Sequence, residues 1–306
     1  MTSAARRWPR HAAAMALLVT AGSCVPPPAA PDPAPVSRPP PPAPAPPPPA
    51  LVRTHFAFRG VAEQGGALVG RAPDTAQTLT LEGQAVPLAA DGSFLIAFDR
   101  DAAANQRLVA TLADGRAVER VLNVAAGSWR IEQINAPYRG SASSDAEFQR
   151  RRPAELAQIA AARRVDHVTD GWRQRFRWPV TGRLSGFFGA QRVYQGKPGS
   201  YHSGTDIAVP TGTPFVAPAD GVVVLAASSP FTLEGNLLIV DHGMGLNSAF
   251  LHCQRIDVRV GDRVVQGQQL GTVGATGRAT GPHMHWGLKW RDARLDPGKL
   301  AGPMGG

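Results

Sequence analysis

The 306 residues leave room for one large or two modest domains with a buried core, and the formal net charge of +9 comes mostly from arginines spread along the chain. Such basicity reads as a solvated surface or as attraction toward an anionic cell-envelope polymer; no aromatic and basic pattern of a nucleic-acid module occurs, so nucleic acid is excluded as a partner. If Cys24 is acylated or removed, Cys253 has no disulfide partner, and stability has to come from the core and a metal.

In chain order, residues 1–24 read as an export signal, with Arg6, Arg7 and Arg10 ahead of the short apolar core "AAAMALLVTAG", too short for a membrane span. "VTAGSC" has the form of a lipoprotein cleavage box that would acylate Cys24, although Ala21 stands where leucine is usual. Lipid anchoring at Cys24 in the outer or inner membrane and simple signal cleavage both remain open. Residues 25–50 are nearly all proline and alanine, a semi-rigid polyproline spacer reaching ~80 Å at ~3.1 Å per residue.

Residues 51–136 alternate in short runs such as "QTLTLEG", "GSFLIAF" and "RLVATLA", separated by turn signals, which predicts a β-sandwich accessory module. Its pattern resembles the immunoglobulin-like modules of secreted bacterial enzymes. Residues 137–177 change to helix formers and arginine, with a capping-box spacing from Ser144 to Glu147; Pro153 is expected to end one short helix and open the next.

From residue 178 the chain is dense in glycine and valine. "VPTGTPFVAPADGVVVLA" (209–226) and "VRVGDRVVQGQQLGTVG" (258–274) form a weak internal repeat, as expected of a barrel-sandwich built from two related β units. The fold class expected is therefore mostly β throughout, with the helical connector as the exception.

Five of the eight histidines lie between 201 and 290: His202, His242, His252, His283 and His285. His202 and Asp206 share "HSGTD", in which Gly204 allows a bend that can bring imidazole and carboxylate together. His252 sits in "AFLHC". In "GPHMHWGLKW" (281–290) a strand would point His283 and His285 to one face and Met284 and Trp286 to the other. His242, in the turn-like "VDHGMG", reads as structural, and Cys253 as a packed residue facing away from the histidines. Tyr194 and Tyr201 could offer hydroxyls to a substrate or simply pack.

"HSGTD", "AFLHC" and "HMH" in that order, with "GRLSGFFG", "GTPFVAPADGVV", "GNLLIVDHG" and "GDRVVQGQQLGTVGATGRATGPHMHW" around them, resemble the lysostaphin and LytM type of zinc metallopeptidases over residues 178–298, leaving 299–306 as a tail. The resemblance implies a duplicated hybrid-motif barrel-sandwich and an exported, periplasmic or envelope-bound enzyme that cleaves the peptide part of bacterial peptidoglycan, with a D-alanyl to diaminopimelate cross-link as the expected bond. It makes His202, Asp206 and His285 the ligands of one Zn2+ and His252 and His283 the catalytic pair. Three ligands leave a tetrahedral position for water, whose pKa zinc lowers from ~15.7 to ~7. One of the pair then takes a proton while the other orients the water or stabilises the oxyanion. Cys253 departs from the family, which usually has leucine there.

Four other readings weigh less. A biotinyl or lipoyl carrier needs a hairpin lysine, and none lies between Lys197 and Lys289; a phosphate-binding loop and a GxSxG nucleophile are also absent. A non-catalytic activator of peptidoglycan amidases keeps the same fold, but has little physical reason to retain all three ligands.

Overall fold

A computed structural model describes residues 52–137 and 146–305. The export signal, Cys24, the proline-rich spacer and Ser144 lie outside the described residues.

Short alternating runs at the N-terminal end become β1 (Ala57–Arg59), β2 (Ala67–Arg71), β3 (Ala76–Leu81), β4 (Gln84–Ala85), β5 (Ser93–Ala97), β6 (Asn105–Leu112) and β7 (Ala117–Asn123). In β6 the period of two is explicit: Leu108, Ala110 and Leu112 are buried while Arg107 and Thr111 face water. Strands β1, β2 and β5 form one sheet and β4, β3, β6 and β7 another, with antiparallel pairing throughout.

β8 (Ile131–Ile134) follows this region in sequence, yet pairs in parallel with a strand of the histidine-bearing domain, β10 (Gln191–Tyr194), whose other neighbour is β11 (Lys197–Pro198). Sequence placed residues 131–134 within the accessory module. A strand's own residues do not record a partner some sixty positions away, and here the partner lies across the module boundary.

α1 (Ala146–Arg163) runs unbroken through Pro153, where two helices were expected. A proline inside a helix removes one backbone bond. Contacts on both sides of it hold the helix together: Arg151 and Arg152 reach Glu155 at 3.3 and 3.5 Å, and Glu155 accepts from the backbone N–H of Thr232 at 2.8 Å.

The remaining strands are β9 (Arg183–Gly186), β12 (Thr205–Ala208), β13 (Pro214–Val216), β14 (Gly221–Ala226), β15 (Asn236–Asp241), β16 (Leu246–Cys253), β17 (Arg255–Ile256), β18 (Arg263–Val264), β19 (Gln269–Thr272), β20 (Met284–Trp290) and β21 (Ala293–Leu295). The largest sheet runs β18-β14-β15-β16-β20-β12-β9, with β21 also on β20. Its inner face carries Leu238, Val240, Phe250, Met284, Trp286 and Leu288, part of one hydrophobic cluster that extends to Leu79, Phe94 and Leu108 of the N-terminal sheets. On the outer face Leu237, Ile239, Ala249 and Leu251 pack beneath Ile159 and Ala162 of α1. Burial on both faces explains why β15 reads as a continuous apolar run, "LLIV".

The two repeated segments interlock. β13 of the first pairs with β19 of the second, and β18 of the second with β14 of the first. The backbone bonds repeat the exchange: Gly212 donates to Val273 and Gly261 to Val223, while Val273 donates to Thr213 and Val223 to Asp262.

Residues expected to be a free tail begin inside α2 (Pro297–Ala301), which is capped by Asp296 and buries Pro297 and Ala301. Lys299 pairs with Glu63, and Trp178 donates to the Gly302 carbonyl at 3.0 Å.

Candidate metal centre

Asp206 and His285 are direct cross-strand neighbours on β12 and β20, so their side chains leave the sheet on one face. Leu251 of β16 is opposite His285 on the other side, which identifies this as the outer face, the one α1 covers farther along. Burial along β20 alternates strictly: Met284, Trp286, Leu288 and Trp290 point inward, and His285 points out.

His202 comes from the segment before β12. Its N–H donates to the Ala190 carbonyl at 2.8 Å and its carbonyl accepts from Gly189 at 2.9 Å, which fixes the loop beside the strand. Two glycines make room. A Cβ on Gly186 would lie 2.3 Å from Asp206 Oδ2, and one on Gly204 would lie 2.5 Å from His285 Nε2.

Three donor atoms therefore converge. His202 Nε2 lies 3.1 Å from Asp206 Oδ1 and 3.2 Å from His285 Nδ1, and His285 Nδ1 lies 2.8 Å from the same carboxylate oxygen. His202 Nδ1 donates to the Phe187 carbonyl at 3.1 Å, which leaves its Nε2 as a lone pair. Lone pairs of two imidazoles and a carboxylate at this separation repel unless a proton or a cation sits among them. Two nitrogens and one oxygen at these spacings also match a zinc site, whose ligand distances are about 2.0–2.2 Å. Among the described residues, this is the one group of His, Cys, Asp or Glu placed to hold a metal ion.

Electrostatics agree with that donor set. Burial works against the Asp206 anion, but hydrogen bonds from His202 and His285 overcome it and hold the carboxyl well below its ordinary range. Burial lowers the pKa of His285, keeping the ring neutral as a ligand must be. His202 goes the other way: burial is outweighed by Asp206, so without an ion its pKa rises.

His252 and His283 stand beside this group with ring centroids 4.8 Å apart, and His252 lies 6.4 Å from the His285 ring. Each donates Nδ1–H to a backbone carbonyl at 2.8 Å, His252 to Thr276 and His283 to Gly281, so both leave Nε2 unprotonated when neutral. Simple alternation along β16 would turn His252 away from Leu251 and His285. Instead His252 has φ +62°, opposite an irregularity in β15 between Asn236 and Leu238, and this sends Cys253 into the inner core. Burial pushes the Cys253 thiol up to about 12.

His242 is elsewhere, fully buried, donating Nδ1–H to the Asp220 carbonyl at 2.7 Å and accepting from the Ser248 hydroxyl at 2.8 Å. Tyr194 and Tyr201 line a cleft of about 850 Å³ that also reaches His202 and Asp206. The Tyr201 hydroxyl lies 3.4 Å from both Asp99 and Arg294. Sequence reasoning missed Arg130 and Glu132 in this wall, because β8 and the residue just before it come from the N-terminal half, and it missed the carbonyls of Phe187, Thr276 and Gly281, because a backbone acceptor has no residue signature.

The pattern of Peptidase family M23 matches residues 200–297. The peptidoglycan DD-endopeptidase ShyA of Vibrio cholerae is 38% identical over 131 residues, covering 42% of this chain and 30% of its own. The cell division protein DipM of Caulobacter vibrioides is 32% identical over 148 residues, 48% of this chain and 23% of its own. The chain thus spans less than a third of the length of these relatives. A solved peptidase M23 structure from Pseudomonas aeruginosa is 31% identical with a TM-score of 0.60, covering 79% of this chain and 95% of that one. That coverage extends well beyond residues 200–297 into the N-terminal region.

Proposed function

The chain belongs to peptidase family M23, and from that premise we propose that it is a zinc-dependent endopeptidase hydrolysing peptide bonds in the cross-bridges or stem peptides of peptidoglycan. The observation that carries this reading is the convergence of His202 Nε2, Asp206 Oδ1 and His285 Nδ1 beside two histidines whose Nε2 lone pairs are free of backbone bonds. Those three residues would hold the ion, and bound zinc would supply Lewis acidity toward a water and the scissile carbonyl. His252, kept neutral by burial, takes a proton at Nε2 from the attacking water and passes it to the leaving amine. His283, whose Nε2 lone pair lies 3.8 Å from Asp206, accepts a hydrogen bond from the water and orients it for attack.

The cleft beside His202 would receive the peptide. The DD-endopeptidase activity named for ShyA supports a D-alanyl to diaminopimelate cross-link as the bond cut. Residues 1–24 would direct export to the periplasm or envelope, with or without lipid on Cys24, and the proline-rich spacer would give reach. The N-terminal sheets would act as the accessory module.

The test is to incubate the full chain with peptidoglycan sacculi, with and without chelator, and to profile the released muropeptides. Chelator-sensitive loss of cross-linked dimers is the expected result. No cleavage by zinc-loaded protein, together with stimulation of an added amidase, would replace the enzyme with an activator.

A further inference from the structure

Resting on the catalytic role proposed for His252, we propose that Arg152 is a positioning residue: α1, which lies outside the matched family segment, clamps the two loops that orient the His252 imidazole. The backbone of His252 is left-handed at φ +62°, a conformation that a residue with a side chain keeps only where its surroundings enforce it. Two bonds enforce it here. Its N–H donates to the Glu234 carbonyl and its Nδ1–H to the Thr276 carbonyl, both at 2.8 Å.

Each of those loops is gripped from α1. Arg152 donates to both carboxylate oxygens of the buried Glu234, at 2.6 and 2.8 Å, and Glu155 takes the backbone N–H and hydroxyl of Thr232, two residues earlier. On the second loop, the Arg278 guanidinium lies over the Phe148 ring at 5.0 Å, and the backbone N–H of Arg278 donates to the Leu233 carbonyl at 2.9 Å. Phe148, Arg152 and Glu155 are spaced i, i+4, i+7 and so share one face of the helix.

The loops are also locked to each other. Asn236 N–H donates to the Thr276 hydroxyl at 2.9 Å, and Gly235 packs so closely on Thr276 that a Cβ would lie 2.3 Å from its oxygen. Moving Glu234 therefore moves both carbonyls that fix His252. Without Arg152, Glu234 becomes a buried anion lacking its bidentate partner and turns toward water, taking its backbone along.

The experiment uses the full chain loaded with zinc, reading kcat and KM on purified cross-linked muropeptides, zinc affinity by chelator competition, and the His252 tautomer by nitrogen-15 NMR. Arg152→Ala is expected to lower kcat about 10- to 100-fold, as a misplaced catalytic group does, with KM and zinc affinity unchanged and both neutral tautomers of His252 populated. Arg152→Lys restores part of the rate, since an ammonium reaches Glu234 without the two-pronged fit. A folded Arg152→Ala protein with unchanged kcat and an unchanged His252 spectrum overturns the assignment, as does a loss of rate that tracks loss of zinc. If Arg152→Ala does not fold, Arg152→Gln takes its place with the same readouts and the same deciding outcomes. If the unsubstituted chain cleaves nothing, the endopeptidase reading has failed by itself, and the His252 spectrum still decides the clamp.

Discussion

His283 and His285 differ in the partner that Nδ1 takes. His285 turns Nδ1 to Asp206, whereas His283 spends Nδ1 on the Gly281 carbonyl. His285→Ala is therefore expected to abolish zinc binding in a chelator-competition titration. His283→Ala should keep the ion and lose about 10²–10⁴-fold in kcat, the usual contribution of a proton-transferring side chain. Equal zinc loss in both variants would contradict the division of roles. The side chains of this centre were legible in "HSGTD", "AFLHC" and "HMH" because imidazoles and carboxylates are chemically conspicuous. The carbonyls that set their tautomers were not, since Thr276 and Gly281 contribute only main-chain atoms.

Elements were legible where local pattern determines them. β20 follows strict alternation, and its two faces are as "HMHW" implies. β16 departs from alternation at His252, and nothing in "AFLHC" announces a left-handed residue, because the departure depends on Glu234 and Thr276 in other segments. Glycine adopts that backbone without a Cβ penalty, so His252→Gly should be more stable to urea than His252→Ala by about 1 kcal/mol. The reverse order would mean that the left-handed geometry is not retained in solution. Pro153 misled in the opposite direction: a strong local breaker is overridden by Arg151, Arg152 and Glu155, whose partners across the loop at Thr232 and Glu234 are tertiary.

Across the whole molecule, global stability should carry the signature of His242. Burial lowers its pKa to about 4, from an ordinary value near 6.5, so the folded state excludes a proton that the unfolded chain accepts. Its contribution is complete above pH 6.5 and is lost as the pH falls toward 4, by about 1.4 kcal/mol per pH unit and about 3 kcal/mol in total. Urea midpoints of the metal-free protein between pH 7 and 4.5 should fall more steeply for the unsubstituted chain than for His242→Gln, and parallel curves would refute the linkage. At this scale composition separates segments along the chain, but it does not record the contacts between them. Arg100 from the N-terminal half is 6% exposed and donates to the Gly189 carbonyl at 3.2 Å and to Gln191 at 2.9 Å, in the segment that holds His202.

The exchanged pairing of β13 with β19 and of β14 with β18 also bears on how the domain comes apart. Each half of the repeat is stitched through the other, as two links of a chain are, so neither has a complete sheet of its own to fall back on. A protease nick at Ser228–Ser229, between the halves, would cut the backbone without releasing either piece. Such fragments should co-elute until denaturant is added, and when expressed separately they should find each other only as a pair.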